Sequence, residues 1–400
     1  MNTKILLTLA FLLPISVTAQ DDTAEQPTED EEGFGFTTIK ELPITSVKNQ
    51  NKSGTCWCFS SLSFFESELL RMGKGEYDLC EMFVVHKTME DRATQAVRTH
   101  GDVSFSQGGS FYDVIYCLKH YGVVPQEAMP QPGTLYGDTL PNHNELDRVA
   151  TAYVEAIAGS DLKKLSPAWK RGLSSIYDAY IGACPDTFTV EGKQYTPITY
   201  MQSLGINPDD YVSLTSYTHH PFYEQFVLEI PDNWRWALSY NLPIDELMEV
   251  FDYAINNGYT IAWGSDVSEK GFTRSGIAVI PDLDGTDLTG SDAAHWLELT
   301  ESEKNAEATS KPSPEPEITQ EMRQEAYDNW ETTDDHGMQI YGIAQDRTGK
   351  QYYMVKNSWG DSGDYNGIWY ASKAFVAYKT MNIVVHKDAV PQHIRKKLGF

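Results

Sequence analysis

The stretch from Gln50 to Ser60 reads QNKSGTCWCFS. It places Cys56 directly after a short Gly-containing turn and at the head of an amphipathic run. A thiol there is suited to attack on carbonyl carbon, because a helix N-terminus and a neighbouring imidazolium both favour the thiolate. Residues Trp57 to Met72 supply the helix: Phe59, Leu62, Phe65, Leu69 and Met72 recur at helical spacing, and neither Pro nor Gly interrupts them. Cys56 is thereby expected at the positive end of the helix dipole.

A cysteine nucleophile needs a base within hydrogen-bond reach, and the base needs a partner that fixes its ring. Ten histidines are available. His336 directly precedes the β-rich run Gly337 to Ala344, which turns at Asp346 to Lys350 and returns through Gln351 to Lys356 to Asn357, in NSWG. Antiparallel strands joined by a short turn bring their outer ends together, so His336 and Asn357 are expected to be neighbours. The Asn carbonyl can accept from one ring N–H and leave the other nitrogen for the thiol, with Trp359 placed to shield the bond. His295, in DAAHWLEL, is the next candidate but lacks an Asn on a returning strand. The remaining histidines, His219 and His220 included, read as surface or core residues, and no two show a metal-ligand spacing with Cys or Asp. Cys58 is expected to point into the core. Asp266, in WGSDV, either binds a substrate amine or caps a turn.

Helices come first among the elements that must hold these groups. Beyond the Cys56 helix, helical rhythm predicts Tyr77 to Val97, Gly109 to Gly122, most of Asn144 to Ile181 with a break between Gly159 and Pro167, and Ile244 to Asn257. Phe36 to Val47 reads as extended, and Thr187 to Glu229 as mixed. Glu301 to Glu317 (ESEKNAEATSKPSPEPE) reads as a polar surface loop. After it come the β-rich runs named above and a third, Gly367 to Ala371. The order predicts an α+β fold with the site in the cleft between two halves.

The chain has 400 residues, 41% of them apolar, enough for an ordinary globular core. Residues 1–19, with Lys4, an apolar stretch from Ile5 to Leu13, and Val17 and Ala19 before Gln20, read as an export signal, implying a periplasmic or extracellular protein. That stretch is too short for a comfortable span, and no later one reaches ~18 apolar residues. Residues 20–35 form an acidic, low-complexity lead-in that cannot fold alone. The formal net charge of −26 becomes −27 without the signal, which repels phosphate backbones and excludes nucleic acid as a partner. Five cysteines, few and odd in number, fit a free thiol better than a disulfide scaffold.

Taken in order, Gln50, Cys56-Trp57, His336 and Asn357-Ser358-Trp359-Gly360 resemble the papain-like cysteine peptidases. The resemblance implies a two-lobe fold, with a helical lobe carrying the nucleophile and an antiparallel β lobe carrying His and Asn. It implies Cys56 as nucleophile, His336 as general base and acid, Asn357 as orienter, and Gln50 as the side-chain donor of an oxyanion hole. Gly108 and Gly109 resemble the pair along which substrate main chain lies. Ser53 and Ser106 stand where secreted members of the family usually place a disulfide, and over 200 residues separate Gly109 from His336. Both features are similar to the bleomycin hydrolase and aminopeptidase C branch, as are GGSFYDVIYCLKHYGVVP, IAWGSDV and TTDDHGM. The domain is accordingly expected over 36–400, with large helical insertions between about 125 and 330. The branch implies peptide substrates, no cofactor or metal, aminopeptidase action and hexamers. Its members use a C-terminal arm in the cleft, whereas this sequence ends at IRKKLGF, so an endopeptidase with an open cleft is the alternative. A non-catalytic binding protein on the same fold is a further one.

Overall fold

Helix α1 spans Cys56–Arg71 and is buried from Trp57 to Leu69. The computed structural model that shows it describes residues 33–130, 139–283 and 297–400. The expected export signal, residues 20–32 of the lead-in and His295 lie outside these residues. A helix enclosed on all sides must satisfy its polar side chains internally. Here Ser63 donates to Gln339 Oε1 (2.6 Å), Gln339 Nε2 donates to Ser67 Oγ (2.8 Å), and Arg71 holds Glu68 through two bonds of 2.9 and 2.7 Å. Glu66 accepts from Thr45, Lys48 and the Leu79 N–H. The apolar stripe read from the sequence is therefore one face of a helix whose other face is also buried.

Helices α2 (Glu81–Arg98), α3 (Phe111–His120), α4 (Asn144–Ala158), α5 (Ala168–Ile181) and α6 (Pro197–Leu204) flank α1. They share one core with Phe65, Phe83, Leu118, Leu146 and Leu173 inside. Helix α2 starts four residues later than predicted, because Leu79 and Cys80 are extended: their N–H groups bond Glu66 and the Val124 carbonyl. Helix α3 is shorter than predicted at both ends, starting where Asp113 accepts from the Ser110 N–H at 2.9 Å.

Across α1 lies a ten-stranded sheet. Its strands are β1 (Thr37–Glu41), β4 (Tyr211–Thr215), β5 (Gln225–Val227), β6 (Leu238–Asn241), β7 (Ile261–Ser265), β8 (Ile277–Ala278), β9 (His336–Gln345), β10 (Gln351–Lys356), β11 (Ile368–Ser372) and β12 (Thr380–His386). A separate hairpin joins β2 (Phe188–Val190) to β3 (Lys193–Tyr195). The order in the large sheet is β5-β6-β4-β12-β7-β9-β10-β11-β8, with β1 also paired to β9. Its far face is covered by α7 (Ile244–Asn256), and a second core gathers Phe251, Trp263, Met338, Tyr353, Phe375 and Ile383.

The α+β class and the two-lobe arrangement are borne out, but the β lobe is not purely antiparallel. β6 pairs parallel to β4, and β8 parallel to β11. These strands come from the middle of the chain, so the sheet is a composite of two sequence regions. A second correction concerns 301–317, expected as a loop. Residues Glu301–Ser310 form helix α8, opened by a Thr300–Glu303 capping box, and only 311–319 are irregular before α9 (Gln320–Asp328). Its polarity is that of a surface helix seated on one buried residue, Ala308. Beyond α10 (Lys373–Lys379), the last helix, α11 (Gln392–Leu398), buries Ile394 and Leu398 in the second core. The Phe400 ring lies 5.3 Å from that of Tyr240.

Candidate active site

The turn that delivers Cys56 is tied to the Asn357 segment before either reaches the cleft. Gln50 N donates to the Ser358 carbonyl (2.8 Å), Gly360 N to the Lys48 carbonyl (3.1 Å), and Ser358 Oγ to Gln50 Oε1 (2.6 Å). Helix α1 then begins at Cys56, with no acidic residue in its first turn and no side chain capping it. The Cys58 N–H bonds the Thr55 carbonyl at 2.9 Å, and those of Cys56 and Trp57 are left to face negative charge. The N–H groups of Gly337 and Trp57 lie beside the Cys56 sulfur and favour its thiolate.

On the opposite wall, His336 opens β9 and stands in register with Ser265 of β7. Its Nε2 is 2.7 Å from Asn357 Oδ1. The same oxygen accepts from the Ser358 N–H at 2.7 Å, which fixes the amide so that oxygen, not nitrogen, faces the ring. Nε2 therefore carries the proton in this bond, and Nδ1 is left as the basic nitrogen. The Trp359 ring lies 4.8 Å from the imidazole, as the sequence suggested. Cys56, His336 and Gly109 line one small cleft.

Gln50 is buried, and its Nε2 donates to the Ser53 carbonyl at 2.8 Å, which uses one of its two N–H groups. Gly108 and Gly109 sit where backbone must come close. A Cβ on Gly109 would lie 2.7 Å from Trp57 Cε2, and one on Gly108 would run into the Asp232 carboxylate. Two other readings resolve plainly. Cys58 is fully buried in the helical core. Asp266 caps a turn, accepting from Ser268 N (2.7 Å) and Thr333 N (2.9 Å), and the amine-binding alternative is not its position. All five cysteines are free thiols.

Three acids to which the sequence assigned no role line the cleft, Asp232, Asp334 and Asp335. Asp232 lies beside the Gly109 N–H and pairs with Arg92 Nη1 at 3.2 Å. Arg92 is fully buried, and its Nη1 also donates to the Gly108 carbonyl. The loop carrying Asp232 is clamped by Arg235, which bonds Asp113 of α3 (2.6 Å) and Asp91 of α2 (2.9 Å). Burial and the neighbouring charges of Asp232 and Asp335 push Asp334 up to about 8.

Burial also pushes the Cys56 thiol up to about 12, with Asp334 and Asp232 adding to the rise against the Gly337 and Trp57 N–H groups. It pulls His336 down to about 4, against Asn357 and Asp335. Both shifts favour the neutral thiol and neutral imidazole over the ion pair that the sequence pattern predicts. Two features drive this: an enclosed cleft, and two carboxyl groups beside the sulfur.

Nothing in the last residues reaches this cleft. Among the described residues lining it, none follows Asn382. Among the described residues, too, no helix is long and apolar enough to cross a membrane.

Comparison with known proteins places this architecture. The model of the Peptidase C1-like family matches residues 77–294 and 317–399. Aminopeptidase G of Lactobacillus delbrueckii subsp. lactis is 24% identical over 394 residues, covering 87% of this chain and 82% of that protein. Aminopeptidase C of Listeria monocytogenes is 23% identical, covering 88% and 83%. The crystal structure of PepW from Lactobacillus rhamnosis superposes with a TM-score of 0.67 at 20% identity, covering 91% of this chain and 84% of that one. Family match and fold likeness agree: the chain belongs to the Peptidase C1-like family of papain-like cysteine peptidases, on the branch of bleomycin hydrolase and aminopeptidase C.

Proposed function

We propose that the chain is a cysteine aminopeptidase, and that Asp232 and Asp334 read the free amino group of its substrate. The reading is carried by the Asp232 carboxylate, which lies beside the Gly109 N–H over the Gly pair. Peptide main chain extending past the residue before the scissile bond would need that same N–H and that same space. A substrate ending there in an ammonium instead meets a carboxylate and a second acid, which cannot comfortably both be charged without a cation between them. The names of the relatives, aminopeptidases G and C, agree with this.

In this reading the ammonium also prepares the nucleophile. Asp334 and Asp232 hold the thiol proton on, and neutralising them makes it easier to transfer from Sγ to His336 Nδ1. The sulfur then attacks the carbonyl carbon. The oxyanion is held by the Cys56 N–H and the remaining N–H of Gln50. His336 returns the proton to the leaving amine, and water hydrolyses the thioester with His336 as base. Asn357 keeps the ring turned throughout. Each step uses side chains of this chain alone.

Initial rates on an aminoacyl anilide and on its N-acetylated form test this. The free amine is expected to be roughly 10- to 150-fold the better substrate, the range for a charge-assisted contact. Equal rates would favour the endopeptidase, and turnover surviving Cys56→Ala would end the thiol mechanism. Export to the periplasm or beyond, on the signal read in residues 1–19, and assembly into hexamers belong to the same proposal. Fractionation and light scattering test them.

A further inference from the structure

Outside the cleft, two adjacent histidines converge on one carboxylate. His219 Nε2 is 3.1 Å from Glu229 Oε2, and His220 Nε2 is 3.1 Å from Glu229 Oε1. In a strand, neighbouring side chains point to opposite faces, but residues 218–220 form a turn, which lets both rings face the same way. We infer that His219, His220 and Glu229 form a binding site for a divalent transition-metal ion, zinc above all, with one coordination position left open.

The ligand atoms all lie within 4.8 Å of one another. At zinc–ligand distances of about 2.0–2.2 Å, the edges of a tetrahedron are roughly 3.3 Å. The two nitrogen–oxygen spacings of 3.1 Å are close to that, and the imidazole nitrogens, within 4.8 Å, would close further as both rings turned onto one ion. Two imidazoles and a carboxylate are also a donor set that suits zinc better than magnesium or calcium.

The surroundings hold these side chains as an outer shell would. His219 Nδ1 faces Gln324, with Oε1 at 3.4 Å and Nε2 at 3.2 Å, so Gln324 satisfies Nδ1 in either tautomer, including the one that frees Nε2 for a metal. The His220 ring stacks on Phe226 (4.3 Å, 23°), and that of His219 on Tyr327 (5.5 Å, 18°). Backbone is fixed on both sides: buried Asn241 donates to the carbonyls of Tyr217 (2.7 Å) and His220 (2.9 Å), and Tyr327 Oη donates to that of Glu229 (2.8 Å). A metal here would anchor Glu229, three residues from Asp232, and so steady the loop that forms one wall of the cleft. No single spacing in the sequence reveals the set, because Glu229 enters from the far side of strand β5.

The test is zinc titration by calorimetry of the full chain carrying Cys56→Ser, so that the cleft thiol does not compete. One equivalent is expected to bind, and adding His219→Ala with His220→Ala should weaken that equivalent at least ~100-fold, beyond the loss typical of an outer-shell change. Removing His393, a surface histidine 3.3 Å from Glu249, should leave it unchanged. Cobalt in place of zinc should give the intense visible bands of a tetrahedral site, lost in the same variants. Should the double variant fail to fold by circular dichroism, Glu229→Gln serves in its place and must lose the cobalt bands. Absence of zinc binding by the parent, or equal binding by parent and variant, overturns the inference.

Discussion

Removing two of the cleft acids, Asp232→Asn with Asp334→Asn, should move two observables in opposite directions. Asp334, pushed up to about 8 by burial and its acidic neighbours, is mostly protonated at pH 7. Asp334→Asn alone should therefore change little at that pH. Asp232→Asn alone should also fall short, because Asp334, relieved of its charged neighbour, ionises in its place. The double variant removes both of these acids and leaves Asp335 as the remaining carboxyl of the lining. A hydrogen-bonded ion pair with the substrate ammonium contributes about 1.5–3 kcal/mol, so kcat/KM on a free aminoacyl anilide should fall roughly 10- to 150-fold, and on the N-acetylated form hardly at all. The resting thiol, no longer opposed by either acid, should be alkylated faster by iodoacetamide at pH 7. About 1 kcal/mol of relief corresponds to roughly fivefold. Thermal unfolding must be followed in parallel, since Arg92 loses its carboxylate partner. Equal losses on both substrates with unchanged alkylation would refute the reasoning and reduce the acids to a structural role.

Three further outcomes are expected. His336→Ala should slow alkylation of Cys56 near neutral pH by about tenfold or more, within the range for loss of a general base; an unchanged rate would count against the pairing. Lys48→Met should cost about 3–5 kcal/mol in urea unfolding, because Lys48 contacts Glu66 at 3.1 Å and Glu81 at 2.7 Å, and both acids are buried. A loss under 1 kcal/mol would mean that water reaches the network. Buried His143 is pulled down to about 4 by desolvation, so the unfolded chain takes up its proton first. Its contribution is present above pH ~6.5 and is lost as pH falls towards 4. His143→Gln should flatten that part of the stability profile, and an unaltered profile would show that the ring is protonated in the fold.

The meeting of Cys56, His336 and Asn357 was legible because their signals are local or one hairpin apart. Cys56 announces itself by a turn before an apolar helical run, and β9 and β10 bring His336 to Asn357 through a five-residue turn. Asp232 and Asp334 were illegible for the opposite reason. Asp232 reaches Gly109 only because Arg92, 140 positions earlier, and the Arg235 clamp hold its loop there. Such contacts depend on tertiary packing, which no periodicity encodes. The 301–317 segment was misread because composition outweighed the capping signal: Thr300 and Glu303 mark a helix start, but the run behind them has one buried residue. The parallel pairs were missed because β6 and β8 are short strands, and β8 pairs with β11 far along the chain.

The central claim is that Cys56 releases residues one at a time from a free N-terminus. Mass spectrometry of a short unblocked peptide and its N-acetylated twin, each incubated with the wild-type chain and with Cys56→Ala, tests it most directly. The account predicts a ladder shortened from the N-terminus of the unblocked peptide, an intact acetylated peptide, and no products from the variant. Internal fragments from either peptide, or a ladder made by Cys56→Ala, would contradict it.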